Sequence, residues 1–264
     1  MKIRAAQLLL LFAFVLAWGL LTDPRVPGFY FDNPDKAAFF FGEPLKVLAR
    51  LADWFVGGDI YPHLGVTLLE TLLAFVLGTA GGIAMGLWLG LARTAAAILD
   101  PYIKGLNAMP RVILAPIFMV WFGLGMASKV ALGITLVFFI VFFNVYQGVR
   151  EVSPVVLANA RMLGAGQRQL LRHVYMPSAL SWVFASLHNS VGLAFVGAVV
   201  GEYLGSAEGV GYLIHQAEGV FDINTVIAGI LLLTGFALVL DAAVGWIESR
   251  LMVWQPHTGE SSQL

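Results

Sequence analysis

Residues 153–177, SPVVLANARMLGAGQRQLLRHVYMP, form a polar, basic island in an apolar chain. The island carries Arg161, Arg168, Arg172 and His173, and long apolar runs flank it on both sides. Ser153 suits the cap of a helix and Pro154 its first position. No breaker follows until Gly164, which sits where a left-handed C-terminal cap belongs. The spacing predicts a helix over 154–163, a glycine turn, and a second helical piece over 167–174. Pro177 then opens or kinks the next apolar run. Val155, Leu157, Met162 and Leu163 interleave with the arginines, a surface better suited to docking than to solvation. An ordinary amphipathic loop is the competing reading.

Composition sets the frame around this island. The chain has 264 residues, of which 59% are hydrophobic and 12% charged, with a mean hydropathy of +0.84. Soluble domains carry about 25% charged residues. The apolar runs approach or exceed the ~20 residues that cross a bilayer as a helix. The expected fold class is therefore all-α: a polytopic membrane protein, one transmembrane domain over 1–264, with six spans near 5–21, 63–91, 96–122, 129–149, 176–201 and 225–247. The third is interrupted at Pro110. The start, MKIRAAQLLLLFAFVLAWGLL, is signal-like, but no small-residue cleavage site precedes Asp23-Pro24. It reads as a retained first span, with a cleaved signal peptide as the alternative.

The connection 22–62 is long and mixed, with an amphipathic stretch over 44–56 that suits a helix on the membrane surface. Lys and Arg in short loops set orientation. With the N-terminus inside, Lys2, Arg4, Arg93, Arg150, Arg161, Arg168, Arg172 and Arg250 fall on the inner side. The last outer connection, 202–224, has no Lys or Arg and four acids, Glu202, Glu208, Glu218 and Asp222. Arg25, Lys36, Lys46 and Arg50 lie in the long first outer connection, which weighs less. Both termini are expected in the cytoplasm, with 22–62 periplasmic and 153–175 cytoplasmic.

Several classes are excluded or disfavoured. A net charge of −1 argues against a nucleic-acid partner. Without cysteine there is no disulfide, thiolate chemistry or thiolate-bound metal. Five scattered histidines form no H-x-x-x-H pair, so no metal site is expected. No catalytic constellation is visible.

Within the spans, Gly78, Gly82, Gly86 and Gly90 recur every four residues, one step after Ala74. Such a face admits another helix closely, in this chain or another. Glu70 lies on the extension of that face, and a charge at membrane depth must meet protein or water. It is either bonded to a neighbouring helix or a pathway carboxylate. Arg111, beside the Pro110 break, could attract an anion, pair with a carboxylate, or reach the inner face. Asn144, Gln147, His188 and Asn189 are candidate pathway residues, with interhelical hydrogen bonding as their commoner use. Asp241 is expected to be paired. Glu202 and Glu208 either meet a periplasmic partner or mark the membrane edge.

The island resembles the coupling motif of membrane subunits of ATP-binding cassette (ABC) importers. That motif reads Glu-Ala-Ala, three residues, Gly, nine residues, an aliphatic, any residue, Leu, Pro. Here Ala160 fills the third position, Arg161, Met162 and Leu163 the gap, Gly164 the glycine, Val174 the aliphatic, Met176 the leucine and Pro177 the proline. Ala158 and Asn159 stand where the family usually has Glu and Ala. MPRVILAPIFMVWFGLGMASK (109–129), FNVYQGVREV (143–152) and VGAVVGEYLGSAEGVGYLI (196–214) are similar to the subfamily handling nitrate, sulfonates and taurine. The resemblance covers about residues 40–254. It implies a type I importer permease, a dimer with the pathway between its subunits. Each coupling loop would seat on an ABC ATPase subunit, two copies in all, and a periplasmic binding protein would deliver a small anionic or zwitterionic solute. The chain lacks G-x-x-x-x-G-K-[ST], so ATP and magnesium belong to the partner ATPase and the permease itself holds no cofactor and is no enzyme. The rival class is a secondary transporter driven by an ion gradient, which Glu70, Arg111 and Asp241 would serve.

Overall fold

The computed structural model describes residues 2–23 and 34–251. The stretch 24–33 of the first outer connection, with Arg25, and the end of the chain from 252 lie outside the described residues. Among the described residues all regular structure is helical. The helices are α1 (Lys2–Thr22), α2 (Pro34–Phe41), α3 (Pro44–Gly57), α4 (Ile60–Leu91), α5 (Arg93–Ala108), α6 (Ala115–Phe122), α7 (Met126–Arg150), α8 (Pro154–Met162), α9 (Gln167–Leu170), α10 (Met176–Leu204), α11 (Val210–Gly219) and α12 (Ile223–Leu251). A short 3-10 turn, Arg111–Leu114, precedes α6, and a π-turn, Leu171–Tyr175, precedes α10.

The stretches Ile60–Leu91, Met126–Arg150 and Ile223–Ile247 are each long and apolar enough to cross a bilayer. Two further candidates are bent pairs. Arg93–Ala108 and Arg111–Phe122 meet at 86°, and Gln167–Phe184 and His188–Leu204 meet at 58°. The first bend has a local cause: Met109, before Pro110, is forced to extended backbone (φ −70°, ψ 134°). The second bend, inside the fifth predicted span, carries no sequence signal. Ala6–Thr22 is a shorter apolar helix where the first span is expected.

The chain packs as two compact units. One holds the described residues up to Thr67 together with Gly201–Gly235. Its α3 starts at Pro44 in the first turn, as the sequence anticipates, and ends at Gly58, left-handed at φ 85°. The two stretches predicted to face outside meet here: Arg50 on α3 pairs with Asp222 at 3.4 Å, and the Glu43 N–H donates to the Asn224 side chain at 2.7 Å. Asp222 also caps α12, accepting from the Thr225 N–H at 3.1 Å and from its hydroxyl at 2.6 Å. The helix α11 lies inside the predicted outer connection, which the sequence reading left without structure.

The other unit holds Leu68–Val200 and the described residues from Phe236 on. Its centre is a seam between α4 and α7. A Cβ placed on Gly78, Gly82, Gly86 or Gly90 would lie 2.7–2.8 Å from the Cβ of Val137, Val141, Val145 or Val149 respectively. Each valine fills the hollow that the missing side chain leaves, and all four are buried. The partner of the glycine face is therefore a helix of the same chain. Both rows advance together, so α4 and α7 run in the same direction. If both cross a membrane, α5 and α6 between them must bring the chain back.

Two outcomes follow from this packing. Gly82→Leu or Gly86→Leu should destabilise the detergent-solubilised protein by about 1–3 kcal/mol, read as a lowered unfolding temperature. Gly81→Ala, whose Cβ would meet Phe138 only at 3.4 Å, should leave that temperature within error. The second outcome concerns Asp222. Burial alone would raise its pKa, yet the Thr225 hydrogen bonds and the Arg50 charge hold it below the ordinary carboxylate value. Its stabilising contribution is thus complete above the unfolded value near ~3.9 and is lost as pH falls through the lower folded value. Asp222→Ala should lower the unfolding temperature at pH 7, by a helix-cap loss of about 0.5–2 kcal/mol. The gap to the parent protein should narrow as pH falls from about 4 through the lower folded value.

Candidate coupling site

The connection between α7 and α10 is built by three local devices. The first is the end of α8. The Ala165 N–H donates to the Ala160 carbonyl at 3.0 Å and the Gly164 N–H to that of Arg161 at 2.9 Å, with Gly164 left-handed at φ 84°. This paired closure satisfies the last carbonyls and turns the chain sharply. The second is the start of α9, where the Gln169 side chain reaches back to accept from the Gly166 N–H at 2.8 Å. The third is the π-turn. Pro177 has no N–H for the carbonyl of His173, and its ring crowds that carbonyl, so the turn before it widens. The expected second helix over 167–174 is thus a single α-turn followed by a π-turn that runs into α10.

The connection is held at its roots. The Ser178 hydroxyl at the start of α10 donates to the Gly148 carbonyl near the end of α7, at 2.8 Å. Leu170 is buried beneath it. The outer surface is different: Val155, Val156, Met162 and Leu163 are all exposed, Leu163 at 89%. Ala158 and Asn159 are exposed beside them. A nine-residue helix that shows this much apolar surface presents it to something.

The other predicted residues do not form one cluster. Glu70 is buried, 1% exposed. Arg111 donates to the Asn107 carbonyl at 3.2 Å and to the Asn107 side-chain oxygen. Its guanidinium also lies 4.8 Å from the centre of the Phe139 ring. Its partners are thus an amide and a ring rather than the carboxylate considered from sequence. Asn144 donates to the Ile140 carbonyl one turn back at 2.7 Å, and Gln147 to Glu151 at 2.7 Å. His188 sits 4.0 Å from Asp241, while neighbouring Asn189 is exposed.

Two charged residues have roles the sequence reading missed. Lys129, taken only as a span boundary, is buried, and its ammonium donates to the carbonyls of Leu124 and Gly125. Glu202 is fully buried, so its carboxylate is not offered to a partner at the surface. Its carboxylate accepts from the Thr67 hydroxyl at 2.6 Å and from the Gly211 N–H at 2.8 Å, pinning the start of α11. Gly209 is left-handed at φ 101° and lies so close to this carboxylate that no side chain fits there. The signal was present as Gly209 and Gly211 following Glu202, but only the fold shows what the glycines face.

Residues 78–253 match the family described as binding-protein-dependent transport system inner membrane component. A putative aliphatic sulfonates transport permease of Bacillus subtilis is 30% identical over 80% of this chain and 77% of its own length. A probable ABC transporter permease of Haemophilus influenzae is 31% identical over 96% and 99%. The taurine transport system permease of Escherichia coli is 29% identical over 81% and 80%. Among solved structures, the MetNI methionine ABC transporter in an inward-facing form aligns with a TM-score of 0.57 at 16% identity, over 75% of this chain and 94% of that one. An amino acid ABC transporter aligns at 0.56 and 17%, over 78% and 94%. The structures share the fold; the sequences carry the family, and they set aside the reading as an ion-driven secondary transporter. The chain belongs to the binding-protein-dependent transport system inner membrane components: it is a multi-pass permease subunit of an ABC importer, a transport component that works with an ATPase.

Proposed function

We propose that residues 153–175 are the lever through which ATP drives this permease. The observation that carries this reading is the exposed apolar face of α8, Val155, Val156, Met162 and Leu163, set on a connection rooted in α7 and α10. A groove on an ATPase subunit would cover that face, and ATP and magnesium would bind there. Ala158, Asn159, Ala160, Arg161, Met162, Leu163 and Gly164 form the docking stretch, and Pro177 with the π-turn transmits its motion into α10. Two such permeases form a homodimer with the pathway between them, served by two ATPase subunits and a periplasmic binding protein. Six spans, the first retained, place both termini and 153–175 in the cytoplasm and 22–62 outside.

The solute is a small anion or zwitterion, such as an alkyl sulfonate, taurine or nitrate; its sulfonate and taurine relatives support this class. Of the pathway candidates, Asn189 is exposed and His188 is half-buried, and both could be reached by a second subunit or by solute. Gln147 is exposed at the inner end of α7 and is the next choice. Glu70, Asn144 and Arg111 are engaged within their own subunit and act, in this reading, as packing groups.

The test is uptake in proteoliposomes with the ATPase co-expressed. A side chain at Gly164 must take the left-handed conformation, at about 1–2 kcal/mol for an ordinary residue. Gly164→Val should therefore cut uptake and solute-stimulated ATP hydrolysis by about tenfold or more while membrane insertion is unchanged. Undiminished uptake with no ATPase copurifying would sink the reading. Ala158→Glu, which restores the usual family residue, should retain uptake and hold the ATPase at least as firmly in pull-downs. Loss of transport in a normally assembled complex would show the motif to be misregistered.

A further inference from the structure

The chain is nearly neutral, with 15 Lys and Arg against 16 Asp and Glu. On the positive side, that balance is broken at one cavity. Arg93 at the start of α5, Arg150 at the end of α7 and Arg161 on α8 line a single cavity of about 290 Å³. Among the described residues no carboxylate lines it. Among the described residues none of the three arginines makes an ion pair, and Arg150 instead lies 5.4 Å from the centre of the Tyr146 ring. The carboxylate next in sequence, Glu151, is engaged by Gln147. Three arginines around one cavity, with no acid in its wall, favour an anion there, and guanidinium geometry suits phosphate.

The rest of the cavity wall decides which anion. Leu91 and Leu157 share the lining with the arginines. The cavity sits where α4 and α7, two of the apolar spans, both end. An amphiphile with a charged head and an apolar body fits such a place, whereas a free ion would use only half of it. Basic pockets between helices at a membrane face bind anionic headgroups on the same physical grounds.

We propose that this cavity binds the headgroup of an anionic phospholipid. The phosphate bridges Arg93 and Arg150 at the ends of the spans to Arg161 on α8, so that the lipid stitches the connection to the helices it must move. The proposal rests on the reading of residues 153–175 as a lever only for its consequence in transport; binding itself is independent of it.

The experiment uses the permease–ATPase complex in nanodiscs, without ATP, and reads retained lipid by native mass spectrometry. In discs of phosphatidylcholine with about one third phosphatidylglycerol, the complex should keep phosphatidylglycerol. Arg93→Gln and Arg150→Gln should each weaken retention about fivefold, while Lys104→Gln, away from the cavity and paired with Asp100, should retain it fully. If a variant misfolds, the parent protein still tests the idea, because high salt should strip the bound lipid by screening. Equal retention in the arginine variants, or retention indifferent to salt, overturns the proposal. Displacement of the lipid by millimolar inorganic phosphate would assign the cavity to a free anion and overturn the lipid source. Loss of the ATPase from the double variant in discs of phosphatidylcholine alone would make it a protein contact instead. Because no turnover is measured, failure here leaves the Gly164 test untouched.

Discussion

The contact between the glycine face of α4 and the valine row of α7 is the constraint on which the second unit depends. In lipid, apolar side chains gain little by leaving the solvent, so helices associate through close packing and hydrogen bonds. Four glycines at four-residue steps give α4 a groove, and four valines at the same step give α7 a ridge. β-Branched valines keep a fixed shape in a helix, so the ridge is stiff. The register is unambiguous because a shift by one residue would drive a side chain into backbone. The parallel direction of the two helices then dictates the path of everything between them.

The same seam positions the connection between α7 and α10. Gly90 and Val149 are its last pair, and the connection starts directly after α7 at Arg150. Gly148, on the same helix, holds the start of α10 through Ser178. Entry and exit of the connection are thus tied to one rigid element. What lies between is made of caps and a π-turn, which hold shape through few bonds and leave their apolar surface outside. A rigid root with an open face is what a segment needs if it is to receive a push and pass it on.

Buried charge divides the remaining polar residues. Glu202 and Lys129 are satisfied by groups brought from a distance or by carbonyls at a helix start, and both serve the architecture. Asp222 does the same at the surface, joining a helix cap to an ion pair. The arginines at the ends of α7, α8 and α5 are the opposite case, since positive charge is gathered and no acid is supplied. Glu202, Lys129 and Asp222 are satisfied within the chain, whereas Arg93, Arg150 and Arg161 share a cavity wall without an acid and are exposed to whatever can reach it.

The sequence by itself determined the membrane class, the order of the apolar helices, the left-handed turn at Gly164 and the break before Pro110. Each is a local matter of composition, helix capping or the geometry forced by proline and glycine. It also showed that Gly78, Gly82, Gly86 and Gly90 form a packing face, because period and residue size are written in the chain. Only the tertiary structure decided that α7 fills that face, that Glu202 pins α11, that Arg111 lies over Phe139, and that Arg93, Arg150 and Arg161 share one cavity. These are meetings between residues far apart in sequence. A side chain's own neighbours set its backbone, but the partner that satisfies its charge or fills its hollow is fixed only when distant helices pack.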